Sequence, residues 1–131
     1  MDADATRALI EELLDAYNAP DLDRAALLYA EDCRYVNRAL GIRIEGRGSQ
    51  RTNMQTFLDI FPDRKLRPLR VIAEEGGAAV EAEFVATSPG GPGMPLAGQP
   101  YTSEMCCVFE VRGGLVASEH DYIDRPPTGG A

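Results

Sequence analysis

The last apolar run of the chain, "GLVASEHDYID" at residues 114–124, decides how this sequence folds. Its residues alternate with a period of two. As a strand it places Leu115, Ala117, Glu119, Asp121 and Ile123 on one face and Val116, Ser118, His120, Tyr122 and Asp124 on the other. Three strand-like runs precede it: "KLRPLRVIAEE" (65–75), "AAVEAEFVATS" (78–88) and "YTSEMCCVFEV" (101–111). Glycine turns at 76–77 and 112–114 and a long loop at 88–100 join them, so the second half of the chain reads as a meander of antiparallel strands.

Working back towards the N-terminus, the pattern changes period. Leu9, Ile10, Leu13, Leu14 and Tyr17 recur at helical spacing between Asp4 and Asn18, and Pro20 ends that helix. Asp21 is a fitting N-cap for a second helix over "LDRAALLYAED" (22–32), buried through Leu22, Ala26, Leu27 and Tyr29. "CRYVNR" (33–38) alternates as a strand, with Cys33, Tyr35 and Asn37 on one side, and "IRIEGRGS" adds a short extended piece. A third helix over "SQRTNMQTFLDIF" (49–61) buries Met54, Phe57, Leu58 and Phe61 and stops at Pro62.

Helices followed by strands make an α+β domain, in which a curved antiparallel sheet wraps around the three helices and leaves a cone-shaped hollow. With 131 residues the chain can bury one core, and it reads as a single domain over 1–131. The loop "SPGGPGMPLAGQP" is too rich in glycine and proline for regular structure, and its length suggests a lid or a dimer contact.

Composition narrows the function. A net charge of −8 repels phosphate backbones, so no nucleic-acid partner is expected. The acidic start "MDADATRALIEELL" lacks the positive charge of a secretory signal, and no run approaches the roughly 18 apolar residues of a membrane span. Cys33, Cys106 and Cys107 are an odd count, and adjacent strand cysteines diverge, which fits a reducing cytoplasm better than a disulfide framework. His120 is the only histidine and has no spacing partner for a metal, and "SPGGPG" lacks the lysine of a phosphate-binding loop. No metal and no cofactor are expected.

"FLDIFPD" (57–63), "AVEAEF" (79–84), the "PY" turn at 100–101 and "GLVASEHDYID" together resemble the SnoaL-like polyketide cyclase group of the NTF2-like superfamily, over most of the chain. The resemblance implies a cone-shaped α+β barrel, often dimeric, with a deep apolar pocket, so a hydrophobic small-molecule substrate and a homodimer are expected. In the cyclases an aspartate on the last strand is the acid and base of an aldol closure, and Asp121 matches it. Their histidine on the preceding strand is missing, and Met105 and Cys107 are the nearest pocket-facing residues there. The related limonene epoxide hydrolases carry an early Tyr-x-Asn, matched by Tyr35 and Asn37, and a terminal catalytic aspartate, again matched by Asp121. Their Arg-x-Asp falls on Glu83 and Val85.

The resemblance therefore implies that Asp121 is catalytic, with Tyr35 and Asn37 orienting an oxygen or a water. If Asp121 faces the hollow, Glu119 lies beside it on the same wall, and desolvation and repulsion raise the pair's pKa values. Glu83, with Glu81, is a candidate third carboxylate. Tyr17, Phe57 and Phe61 on the helices join Met105 and Cys107 as candidate pocket lining. Three readings follow: aldol-type cyclase or isomerase, epoxide hydrolase, and a non-catalytic binding or dimerisation module.

Overall fold

The computed structural model describes residues 2–124, so the ends of the expected 1–131 domain lie outside the described residues. Helix α1 (Ala3–Asn18) starts where the Asp2 carboxylate accepts the Ala5 N–H at 2.8 Å. It buries the apolar stripe read from the sequence and lies along β3 (Lys65–Glu74) and β4 (Gly77–Thr87). Asp21 caps α2 (Leu22–Leu27) through the Arg24 N–H.

This second helix is shorter than expected. It ends at Leu27, which is 62% exposed rather than buried, and Tyr29 opens strand β1 (Tyr29–Asn37). Tertiary partners take the carbonyls of the next turn. Val116 N–H donates to Leu28 O at 2.8 Å, and the Arg47 guanidinium donates twice to Tyr29 O, so the chain leaves helical geometry at once.

Strand β2 (Ile42–Glu45) turns through Gly46, at φ 94°, into α3 (Arg47–Ile60), and Phe61 and Pro62 close that helix. Strands β3, β4, β5 (Pro100–Arg112) and β6 (Leu115–Ile123) form the expected antiparallel meander. The whole sheet has six strands in the order β2-β1-β6-β5-β4-β3. It is not wholly antiparallel, because β1 lies parallel to β6, with Tyr35 opposite Glu119 and Asn37 opposite Asp121. Among the described residues it does not close into a barrel, and β2 and β3 are the edges of the curved sheet.

The facing of β6 differs from simple alternation in one respect. Glu110 pairs with Ser118 and Val111 with Val116, which leaves Ala117 as an extra residue. This bulge puts fully buried Val116, not Ala117, on the inner face with Glu119 and Asp121. The loop at residues 88–99 ties itself down. Ser88 N–H donates to Gln99 O, Gly98 N–H to Ser88 O, and the Ser88 hydroxyl to Pro95 O. None of its residues lines the cavity described next. Among the described residues no helix is long and apolar enough to cross a membrane.

Candidate active site

Between the curved sheet and the helices lies a cavity whose empty space, counted together with the open solvent at its mouth, is about 840 Å³. Asp121, Glu119, Tyr35, Asn37, Met105, Cys107, Tyr17, Phe57 and Phe61 all line it. Glu83 does not. On β4 the inward set is Ala78, Val80, Ala82 and Phe84, which leaves Glu81 and Glu83 on the outer face, paired with Arg70 and Arg67 at 3.6 and 3.5 Å. No third carboxylate enters the hollow from that strand. Phe61, Phe84 and Tyr101 instead build an aromatic corner, with ring centroids 5.3 to 6.2 Å apart.

The polar wall is made where β1, β6 and β5 run side by side. Glu119 and Asp121 project inward from β6, and Cys107 stands directly opposite Asp121 on β5. The Cys107 sulfur and one oxygen from each carboxyl group lie within 4.8 Å of one another. From β1, the Tyr29 hydroxyl donates to Glu119 Oε1 at 2.5 Å and the Tyr35 hydroxyl donates to Asp121 Oδ2 at 2.8 Å. Gln50 of α3 supports Tyr29, Asn37 supports Tyr35, and the Cys107 thiol hydrogen-bonds Asp121. Asp121 Oδ1 is buried and takes no hydrogen bond from any of these fixed donors.

Burial sets the charge state. Desolvation raises the Glu119 pKa well above the carboxylate range, the neighbouring Asp121 charge raises it further, and the Tyr29 bond opposes only part of this. Desolvation also raises Asp121, but its hydrogen bonds from Glu119, Tyr35 and Cys107 and the nearby His120 charge all favour the anion. The two groups titrate as one unit, and the proton they hold resides on Glu119. Burial keeps Tyr29, Tyr35 and Cys107 protonated, so they act as donors rather than nucleophiles. His120 points to the outer face, opposite Val36 and Val108.

Cys107, Glu119 and Asp121 are a spacing that could receive a metal ion. Their chemistry is already accounted for by protons, since each carboxylate accepts from a tyrosine and the thiol donates as well. Tyr29 and Gln50 were not legible as site residues. Tyr29 shares odd-numbered parity with Cys33, Tyr35 and Asn37, and reading the strand back to it would have found it. Gln50 gives no signal of its own in the sequence.

Three helices packed on a curved six-stranded sheet make this an α+β domain with the fold of the NTF2 and ketosteroid isomerase type. The SnoaL-like domain family matches residues 10–119, and the chain belongs to it. Solved structures agree on the fold. A candidate polyketide cyclase from Xanthomonas campestris is 24% identical, with 93% of this chain and 92% of that one covered at a TM-score of 0.82. IdmH of Streptomyces antibioticus, another candidate polyketide cyclase, is 20% identical, with 91% of each chain covered and a TM-score of 0.80. A candidate ketosteroid isomerase from Kribbella flavida is 26% identical, covering 95% of this chain and 81% of its own at a TM-score of 0.76. No curated protein matches this chain significantly.

Proposed function

We propose that this protein is a cyclase or isomerase that moves a proton at a carbon next to a carbonyl group, with Asp121 as the base. The observation that carries this reading is the carboxyl pair itself. A pure binding pocket gains nothing from burying two carboxyl groups side by side, because the desolvation cost is large. Here burial and the Asp121 charge favour the protonated form of Glu119, while the donors Glu119, Tyr35 and Cys107 favour the anion of Asp121.

In this reading the substrate is an apolar, carbonyl-bearing molecule that fills the aromatic corner. The Asp121 carboxylate removes a proton from the carbon beside a carbonyl, and the C–H electron pair becomes an enolate. For ring closure the enolate carbon attacks a second carbonyl of the same molecule. The proton held by Asp121 is then returned to the new alkoxide, or to a different carbon in an isomerisation. Glu119 keeps its own proton and hydrogen-bonds Asp121, steadying the anion between turnovers.

The test is hydrogen–deuterium exchange into a panel of cyclic ketones and 1,3-diketones. Asp121→Asn should lower exchange about 100- to 10,000-fold, the usual worth of a general base. Exchange that persists in that variant would remove Asp121 from the role.

A second reading has one observation in its favour. Tyr35 donates to Asp121 and Asn37 stands beside it, which would also suit a water held for epoxide opening. The strand that would supply the hydrolases' arginine presents Glu83 on its outer face instead. Turnover of small epoxides that vanishes in Asp121→Asn would favour the hydrolase.

A further inference from the structure

At the polar wall of the cavity a soft ligand atom meets two hard ones. Cys107 of β5 stands opposite Asp121 of β6, Glu119 precedes Asp121 by two residues on the same face, and all three side chains are buried and line the cavity. Their donor atoms lie within 4.8 Å of one another. Ligand atoms around one tetrahedral zinc ion stand about 3.3 to 3.6 Å apart, given bonds of about 2.0 to 2.3 Å, so small side-chain rotations would close the set on a single ion.

A free lone pair points the same way. Asp121 Oδ2 is turned to Tyr35 on β1, whereas Oδ1 has no hydrogen-bond partner although the residue is only 7% exposed. Strand β6 lies between β1 and β5, so the oxygen turned away from Tyr35 is left on the side of Cys107. A buried acceptor without a donor is costly, and a cation coordinated there satisfies it.

Charge decides what sort of cation fits. Arg64, Glu119 and Asp121 are the buried basic and acidic side chains among the described residues. The Arg64 cation, whose guanidinium carbon lies 3.6 Å from the Tyr17 ring centroid, balances the single charge of the carboxyl pair. A dication added to this wall without loss of protons would upset that balance by two charges. Replacing the Glu119 and Cys107 protons by one dication does not, because three anionic ligands and the ion together carry the same single negative charge as before. Calcium and magnesium take six or more oxygen ligands, whereas this wall offers two carboxyl groups and a sulfur. A thiophilic ion with three protein ligands and an open fourth position suits it.

We propose that Cys107, Glu119 and Asp121 are the protein ligands of a site for a thiophilic divalent cation of the zinc and cadmium kind, whose fourth position faces the cavity. The exchange is balanced. The S–H bond of Cys107 and the O–H bond of Glu119 break, two protons leave to solvent, and the freed electron pairs bind the ion. With its carboxylate coordinated, Asp121 no longer takes a proton from a ligand, so the ion is an inhibitor. This consequence rests on the acid–base reading of Asp121; the site itself does not.

The experiment titrates the intact, reduced protein with cadmium chloride and follows the ultraviolet charge-transfer absorbance of the cadmium–thiolate bond. One ion should bind per chain, with about two protons released in weak buffer, and zinc should displace it while magnesium does not. Cys107→Ser should abolish the band. Asp121→Asn, which keeps every thiol, should weaken binding at least about tenfold. Cys106→Ser, on the outer face opposite Glu81 and Tyr122, should bind cadmium as the intact protein does. Saturating zinc should stop deuterium exchange, and a chelator should restore it.

An intact protein that shows no thiolate band would overturn the proposal, as would a band that survives in Cys107→Ser or is lost in Cys106→Ser. Unchanged affinity in Asp121→Asn overturns it too, and decides the matter even if Cys107→Ser does not fold. Exchange that continues in the zinc-saturated protein overturns the inhibition. The two readings fail separately. Deuterium exchange lost in Asp121→Asn, in a protein without a thiolate band, removes the metal site and keeps the base. A Cys107-dependent band in a protein that exchanges no carbon acid removes the base and keeps the site.

Discussion

Tyr29 and Glu119 stand 90 residues apart in the chain and meet through a 2.5 Å hydrogen bond, the tightest contact in the cavity wall. The phenol belongs to the first strand and the carboxyl group to the last, and their bond opposes only part of the rise in the Glu119 pKa that burial and Asp121 impose. Several consequences can be measured.

Glu119→Gln keeps the shape and removes the titration. In the unfolded chain Glu119 loses its proton above roughly pH 4, whereas the folded protein retains it because the folded pKa is raised. Between those two values the unfolded state binds fewer protons, so stability falls as pH rises, by up to about 1.4 kcal/mol per pH unit for this group. Relative to the wild type, the variant should gain stability from pH 4 upward and match it near pH 4. Urea unfolding across that range reads the difference, and a constant gap at all pH values would refute it.

Tyr29→Phe leaves the Glu119 carboxyl group without its donor in a buried site. A loss of about 1–3 kcal/mol is expected, the cost of an unpaired buried polar group. The same substitution at Tyr122, which is 55% exposed, should change the urea midpoint little.

Activity should show a bell-shaped pH profile. The ascending limb reports ionisation of the pair to its single-proton form, shifted upward from ordinary aspartate by burial. The descending limb reports loss of the Glu119 proton, which would leave two buried charges together. Glu119→Gln should abolish the descending limb that belongs to the pair and leave the ascending one.

Glu83→Gln should leave exchange activity unaltered, because Glu83 faces away from the cavity and its partner Arg67 is a surface group. Loss of that pair is worth at most about 1 kcal/mol. A large drop in activity would place Glu83 in the site after all.

Ile10→Ala removes a side chain with no exposure from the packing of α1 on the sheet and should cost about 2–5 kcal/mol. Leu27→Ala, at the end of α2, should cost less than about 0.5 kcal/mol, because Leu27 is 62% exposed. Thermal or urea denaturation of the two variants separates the observed end of α2 from a longer buried helix.

The order of helices and strands was legible because glycine turns and proline breaks are local signals, and β3 to β6 lie close to where alternation puts them. Asp121 and Glu119 could be paired on one face for the same reason. What sequence could not supply was long-range. The chain turns from helix to strand at Tyr29 because Val116 and Arg47 claim the Leu28 and Tyr29 carbonyls, and neither partner is near in sequence. Ala117 is displaced by a bulge whose cause lies on the neighbouring strand. For β4, alternation gave two faces but not the choice between them. The small apolar set of Val80 and Ala82 packs under the helices, and the glutamates are left outside. Arg64 offered no clue at all, since its meaning depends on the ring it covers.

Strand β6 lies between β1 and β5, so it joins two parts of the sheet that otherwise share no edge. It also carries both members of the acid pair. Synthesis from the N-terminus makes β6 after the other five strands, and until it arrives β1 and β5 each present an unpaired backbone edge beside an uncovered apolar hollow. Assembly of the sheet and completion of the cavity's polar wall are therefore one event. A nascent chain holds neither a finished core nor a walled cavity until β6 slots into the gap.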